Sequence, residues 1–143
     1  MHSNNNLLLL AFFGAATALR RTCAVDNVQN DGTGTYIITD FDTLPVIAAD
    51  FCTEVPELEK LNSAPQIEAG DSFTVPCRVR KRDCLRIPNS KVGYYTVVEG
   101  DTLAYIASDF CVAASRLPTM NPGVITDNSV SPGMIIEVPC SWN

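Results

Sequence analysis

The sequence predicts an α+β fold of two tandem modules, each running strand, helix, helix, strand with a two-stranded antiparallel sheet and stapled by disulfides. Three observations predict it. In the run from Tyr95 to Cys111, the β-formers Thr96, Val97 and Val98 precede a break at Glu99, Gly100 and Asp101. Leu103, Ile106, Ala107 and Phe110 then fall at i, i+3, i+4 and i+7, so one apolar helical face can fold back on the strand. The same order occurs 59 residues earlier, from Tyr36 to Cys52, with Leu44, Ile47, Ala48 and Phe51 at the matching positions, which marks a repeat. Finally, the six cysteines fall in two sets of three, Cys23, Cys52, Cys77 and Cys84, Cys111, Cys140.

Taken in order, residues 1–18 read as a secretory signal peptide. Leu7 to Ala18 is continuously apolar or small, ends in an A-x-A pattern at Ala16 to Ala18, and is too short to span a bilayer. Residues 19–34 are polar, with Asn27, Asn30, Asp31, Gly32 and Gly34, and read as an N-terminal arm tethered by Cys23. The first module is expected over 35–77. Its first helix begins near Asp42 or Thr43, with Pro45 tolerated because first-turn N–H groups lack intrahelical partners. Cys52 ends that helix, Glu57 to Asn62 forms a second with Asn62 as its stop, Ile67 to Asp71 turns, and Ser72 to Pro76 closes as a strand.

Residues 78–93 read as a basic linker, with Arg78, Arg80, Lys81, Arg82, Arg86 and Lys91 against the single acid Asp83. Such a strip is either solvated or docks on acidic module surfaces or anionic wall polymers. Lys81-Arg82 also fits a dibasic processing site, although nearby Cys84 suggests a stapled segment. The second module, 94–140, repeats the plan, with Leu117, Met120 and Asn121 offset by 59 from Leu58, Leu61 and Asn62. Gly133 and Val138 to Cys140 match Gly70 and Val75 to Cys77 at an offset of 63, so the loop from Asn121 to Gly133 is four residues longer. Pro118 falls inside the second helix and should shorten or distort it.

Composition narrows the function. The net charge is −6, and all ten basic and sixteen acidic side chains lie beyond residue 18, which argues against nucleic acid as the main partner. Once the signal is cleaved nothing points to a membrane. Modules this short bury little apolar surface, and an oxidising compartment lets disulfides make up the shortfall, consistent with a secreted, extracellular protein. The cysteine spacings lack the paired CxxC of a zinc ribbon or thioredoxin site, so disulfides are expected in place of a metal, and no cofactor is implied. Six cysteines allow fifteen connectivities. With an odd number in each set, full pairing forces at least one bond between the sets. In this topology the first helix returns toward the start of the first strand, which clusters Cys52, Cys77 and Cys23 or Cys84 at one end. One pairing that fits is Cys23–Cys77, Cys52–Cys84 and Cys111–Cys140.

Tyr95, Val97, Gly100 to Leu103, Ile106, Ala107 and Phe110, followed by Met120-Asn121, Gly133 and Val138 to Cys140, together resemble the lysin motif (LysM) domain. Two such modules behind a signal peptide, with a cysteine after each Asp-Phe and each Val-Pro, resemble a small secreted fungal LysM effector acting in virulence. The first module departs from the motif in carrying Phe41 where the family has Gly. The resemblance implies binding of N-acetylglucosamine polymers, chiefly chitin oligomers, in a shallow groove between the strand–helix turn and the helix–strand loop. By motif position these are Gly100, Asp101, Thr102 and Leu103 with Pro122, Gly123, Val124 and Ile125. A weaker site or second wall falls on Phe41, Asp42, Thr43 and Leu44 with Ser63, Ala64, Pro65 and Gln66. Loop N–H and C=O groups can bond an acetamide, and Pro122, Val124 and Ile125 can seat its methyl and the sugar face.

Each residue also has a purely structural role open to it: tight turns for Gly100 and Gly123, helix capping for Asp101 and Thr102, core for Leu103. Catalysis is disfavoured, because the only histidine is His2 and no carboxylate pair is shown to converge on a scissile bond. Partners consistent with the resemblance are chitin fragments, the fungal cell wall and a ligand-induced dimer. The modules either bind separately or share one groove, and the outcome is either shielding of walls from chitinases or sequestration of fragments from host immune receptors. A host protein target, with the fold as scaffold, and peptidoglycan are the alternatives.

Overall fold

The computed structural model describes residues 20–25, 31–63, 66–78 and 80–141. The expected signal peptide, and residues 19 and 26–30 of the arm, lie outside this description. Ten elements follow in order: β1 (Ala24–Val25), β2 (Thr33–Ile37), α1 (Leu44–Asp50), α2 (Val55–Asn62), β3 (Ser72–Pro76), β4 (Leu85–Arg86), β5 (Val92–Thr96), α3 (Leu103–Asp109), α4 (Arg116–Met120) and β6 (Ile135–Pro139). They form two α+β units with antiparallel sheets ordered β1-β2-β3 and β4-β5-β6. The repeat is therefore structural as well as sequential, since Tyr36 pairs with Phe73 and Tyr95 with Ile136 at equivalent registers.

Each sheet has three strands, where two were expected. Ala24 and Val25 pair with Thr35 and Gly34, and Leu85 and Arg86 pair with Tyr94 and Gly93. Two-residue strands carry no alternation, so their pairing is set by a disulfide, not by a hydrophobic pattern. Cys23 joins Cys77, and Cys84 joins Cys140, tying each short strand to the far end of its sheet. A Cβ on Gly93 would lie 2.7 Å from the Leu85 carbonyl oxygen and 2.8 Å from Cys140 Cβ and Sγ, so only glycine fits beneath the disulfide. Gly34 holds the same place over Cys77.

Of the expected pairing Cys23–Cys77 is present, but Cys52 joins Cys111 and Cys84 joins Cys140, in place of Cys52–Cys84 and Cys111–Cys140. Cys52 and Cys111 sit just beyond α1 and α3 with φ of 56° and 58°, which turns both side chains out of their own units and toward each other. Equivalent residues of the repeat are thus bonded to each other, and Cys52–Cys111 is the bond between the sets that odd counting requires.

Each unit has its own core. Ile47, Ala48 and Phe51 of the first pack with Leu58, Phe73, Val75 and Tyr36. Ile106, Ala107 and Phe110 of the second pack with Leu117, Ile136, Val138 and Tyr95. The i, i+3, i+4 stripe thus faces the sheet as its spacing predicts. Pro118 shortens α4 as expected: lacking an N–H, it cannot bond the Ala114 carbonyl, which accepts from Leu117 in a tighter turn. The result is five residues in α4 against eight in α2.

The two units are buckled by charge. Asp50, fully buried, accepts from Arg20 Nε at 3.1 Å, Arg80 Nη1 at 2.8 Å and the Arg21 N–H at 2.7 Å. Asp109 accepts from Arg82 Nη1 at 2.8 Å, and its carbonyl accepts from Arg20. The Arg80 guanidinium lies 4.9 Å over the Phe51 ring and that of Arg20 5.4 Å over Phe110, so desolvated cations also meet aromatic faces. Burial, then the cationic neighbours Arg20 and Arg78, brings the Arg80 pKa down to about 10 even against Asp50, and Arg80 stays charged at neutral pH. Arg80 and Arg82, read from sequence within a linker, are in ion pairs with module acids.

Candidate functional site

The turn from Val98 to Thr102 is fixed by Asp101. Its Oδ2 accepts from the Tyr95 hydroxyl and, at 3.0 Å, from the Val98 N–H, while its Oδ1 accepts from Arg82 Nε at 2.9 Å. Desolvation pushes the Asp101 carboxyl up, but the bonds from Tyr95, Val98 and Arg82 outweigh it and hold it below the ordinary carboxylate range. Burial and the same carboxylate push the Tyr95 phenol up to about 12. Asp101 is thus wholly committed to shaping the turn. Thr102 caps α3 by accepting from the Tyr105 N–H at 3.2 Å. Gly100 adopts φ 88°, and the space where its Cβ would stand is open, so its backbone faces solvent unobstructed.

The second loop is held by Asn121. Its side chain donates to the Glu137 carbonyl at 2.9 Å and accepts the Glu137 N–H at 2.6 Å, while its carbonyl receives the Val124 and Ile125 N–H groups at 3.1 Å. Pro122, Gly123 and Val124 form an exposed turn, and Ile125 drops into the core. Leu103, half-buried, packs against the same cluster as Ile125. One hydrophobic cluster therefore anchors both predicted loops of the second unit.

The first unit repeats this with one change of surface. Asp42 accepts from the Tyr36 hydroxyl at 2.6 Å, the Thr39 N–H at 2.7 Å and Arg21 Nε at 2.7 Å, matching Asp101, Tyr95 and Arg82. Desolvation raises the Asp42 carboxyl, yet the bonds from Tyr36, Thr39 and Arg21 bring it below its usual value. Thr43 precedes α1 without a side-chain cap bond, Leu44 packs on the core, and Phe41 stands 90% exposed. Ser63 takes φ 48° at the end of α2 and Gln66 is exposed; Ala64 and Pro65 lie outside the described residues.

Two neighbours of these turns were not anticipated. A concavity of about 460 Å³ beside Gly100 and Asp101 is walled by Lys81, Arg82, Asp83 and the exposed Tyr105, and not by Pro122 to Ile125. Arg82 belongs to the basic strip for which docking on acidic module surfaces is one expectation, but its counterpart Arg21 was not picked out; the available signal is that each stands two residues before a cysteine. Among the described residues, no cluster of three or more His, Cys, Asp or Glu could hold a metal, and no helix is long and apolar enough to cross a membrane.

Residues 95–139, the strand–helix–helix–strand run of the second unit, match the LysM domain family. The secreted LysM effector Vd2LysM of Verticillium dahliae is 39% identical over 143 residues, covering 96% of each chain. The chain belongs to this family of secreted LysM effectors. The secreted LysM effector ECP6 of Passalora fulva is 29% identical over 118 residues, 73% of this chain and 52% of that one. Among solved structures, the spore cortex-lytic enzyme SleL of Bacillus megaterium shares 24% identity at a TM-score of 0.30, over 76% of this chain and 23% of that one.

Proposed function

We propose that the protein binds chitin oligomers without cleaving them, principally through the second module at Gly100, Asp101, Thr102 and Leu103 with Pro122, Gly123, Val124 and Ile125. The observation that carries this reading is the shared anchoring of Leu103 and Ile125 in one cluster, with Gly100 and the Pro122–Val124 turn left exposed. Asp101 and Thr102 act by holding the turn, so the direct contacts fall to backbone groups at Gly100 and to Pro122 and Val124. An acetamide needs one donor, one acceptor and an apolar seat for its methyl, and such loops provide all three. The first module, with Phe41 at its turn, contributes a weaker site or a second wall, its exposed ring being suited to stacking on a sugar face.

Bound chitin would serve the fungus either by coating wall polymer against chitinases or by withdrawing fragments from host immune receptors. Retention on insoluble chitin, released by soluble N-acetylglucosamine hexamer with no shorter products formed, supports binding without catalysis. Complete flow-through favours a host protein target, and retention on peptidoglycan alone favours the other glycan.

A further inference from the structure

Three disulfides hold the described chain, and their surroundings differ in kind. Cys77, Cys84 and Cys140 are buried, so each intra-unit bond has at least one sulfur shut away under its own sheet. Cys52 and Cys111 are both exposed and line a cavity of about 570 Å³ between the units, together with Ala49, Thr53, Arg78 and Ser108. Arg78 is held there by donating to Ser108 Oγ at 2.8 Å and to the Ser108 carbonyl, and its Nη2 lies 2.8 Å from Cys52 Sγ.

We propose that Cys52–Cys111 is a thiol-exchange site, opened by low-molecular-weight thiols before either intra-unit disulfide reacts. Disulfide exchange needs access to one sulfur and a stabilised thiolate on the other. An incoming thiolate attacks Cys111 Sγ, the S–S bond breaks, and its electron pair leaves on Cys52 as a thiolate facing the Arg78 cation, which favours that charged form. A second thiol attacks the mixed disulfide on Cys111. The products are two cysteine thiols, protonated from solvent, and one molecule of the reagent's disulfide, a balanced two-electron transfer. Each unit keeps its own staple, so the exchange removes the covalent clasp between modules and leaves both folded.

The test is to incubate the oxidised protein in reduced/oxidised glutathione buffers of increasing ratio, alkylate free thiols, and map them by peptide mass spectrometry. Cys52 and Cys111 should be labelled at a ratio at least tenfold below that labelling the other four, with far-UV circular dichroism unchanged. Arg78→Gln should slow labelling at Cys52–Cys111 by about threefold to tenfold, with Arg78→Lys restoring most of the rate. Labelling of the Cys23–Cys77 or Cys84–Cys140 pair at the same or a lower ratio overturns the proposal, as does an Arg78→Gln protein that reacts at the wild-type rate.

Discussion

Gly93 sits where a strand, its neighbour's carbonyl and a disulfide meet with no room for a methyl group. Gly93→Ala should destabilise the second unit by about 1–3 kcal/mol, because overpacking forces backbone shifts, and urea denaturation reads this directly. Asp50 shows the converse, a charge retained because it is surrounded. Removing the carboxylate takes away the buried charge on which the Arg20 and Arg80 guanidinium groups converge, so Asp50→Asn should cost about 3–5 kcal/mol in the same assay. Asp50 and Asp109 fall within the repeat read at an offset of 59, whereas Gly34 and Gly93, at the same offset, fall in the segments read as arm and linker. Their burial was not visible, since aspartate is ordinarily a surface residue and a glycine in a strand has several causes.

Among the elements, the clearest lesson is how each sheet ends. Asn62 bonds both the N–H and the carbonyl of Thr74, and Asn121 does the same to Glu137, so a helix C-terminus covers the outer edge of β3 and of β6. Asn121→Ala should cost about 1–3 kcal/mol by orphaning those edge groups, and amide exchange at Glu137 should accelerate. The strand–helix turns bring pH into play. Asp42 and Asp101 are held below their ordinary range in the folded chain. Their contribution to stability is complete above the unfolded carboxylate value of about 3.9 and is lost as pH falls through the lowered folded values. Thermal melts should therefore be nearly flat from pH 7 to about 5 and drop below about 4, and Asp101→Asn should flatten the acid limb. Helical periodicity made α1 and α3 legible, strand alternation β3, and Pro118 foretold the short α4, but β-forming residues put the first strand of the second unit at Thr96 to Val98, and it runs Val92–Thr96, reaching back into the segment read as linker. The strands β1 and β4 were not legible, because two residues cannot display a period.

At the scale of the whole molecule, the two units face each other through the ends of α1 and α3, clasped by Cys52–Cys111 and by arginines on buried acids. Counting parity required a bond between the cysteine sets, but which cysteines made it depended on the facing of two surfaces, which no local pattern encodes. The candidate loops were legible from the motif; the structure adds that Asp101 is spent on the turn and Ile125 on the core. The second module is proposed to carry most of the chitin affinity, and calorimetry of single-site variants with N-acetylglucosamine hexamer measures this. Val124 and Phe41 are exposed side chains, so Val124→Asp and Phe41→Ala should leave the fold intact. Val124→Asp should lose affinity by about tenfold or more, near 1.4 kcal/mol, and Phe41→Ala by under about threefold. A Phe41→Ala protein that loses the greater affinity, or a Val124→Asp protein that binds as the wild type does, would contradict it.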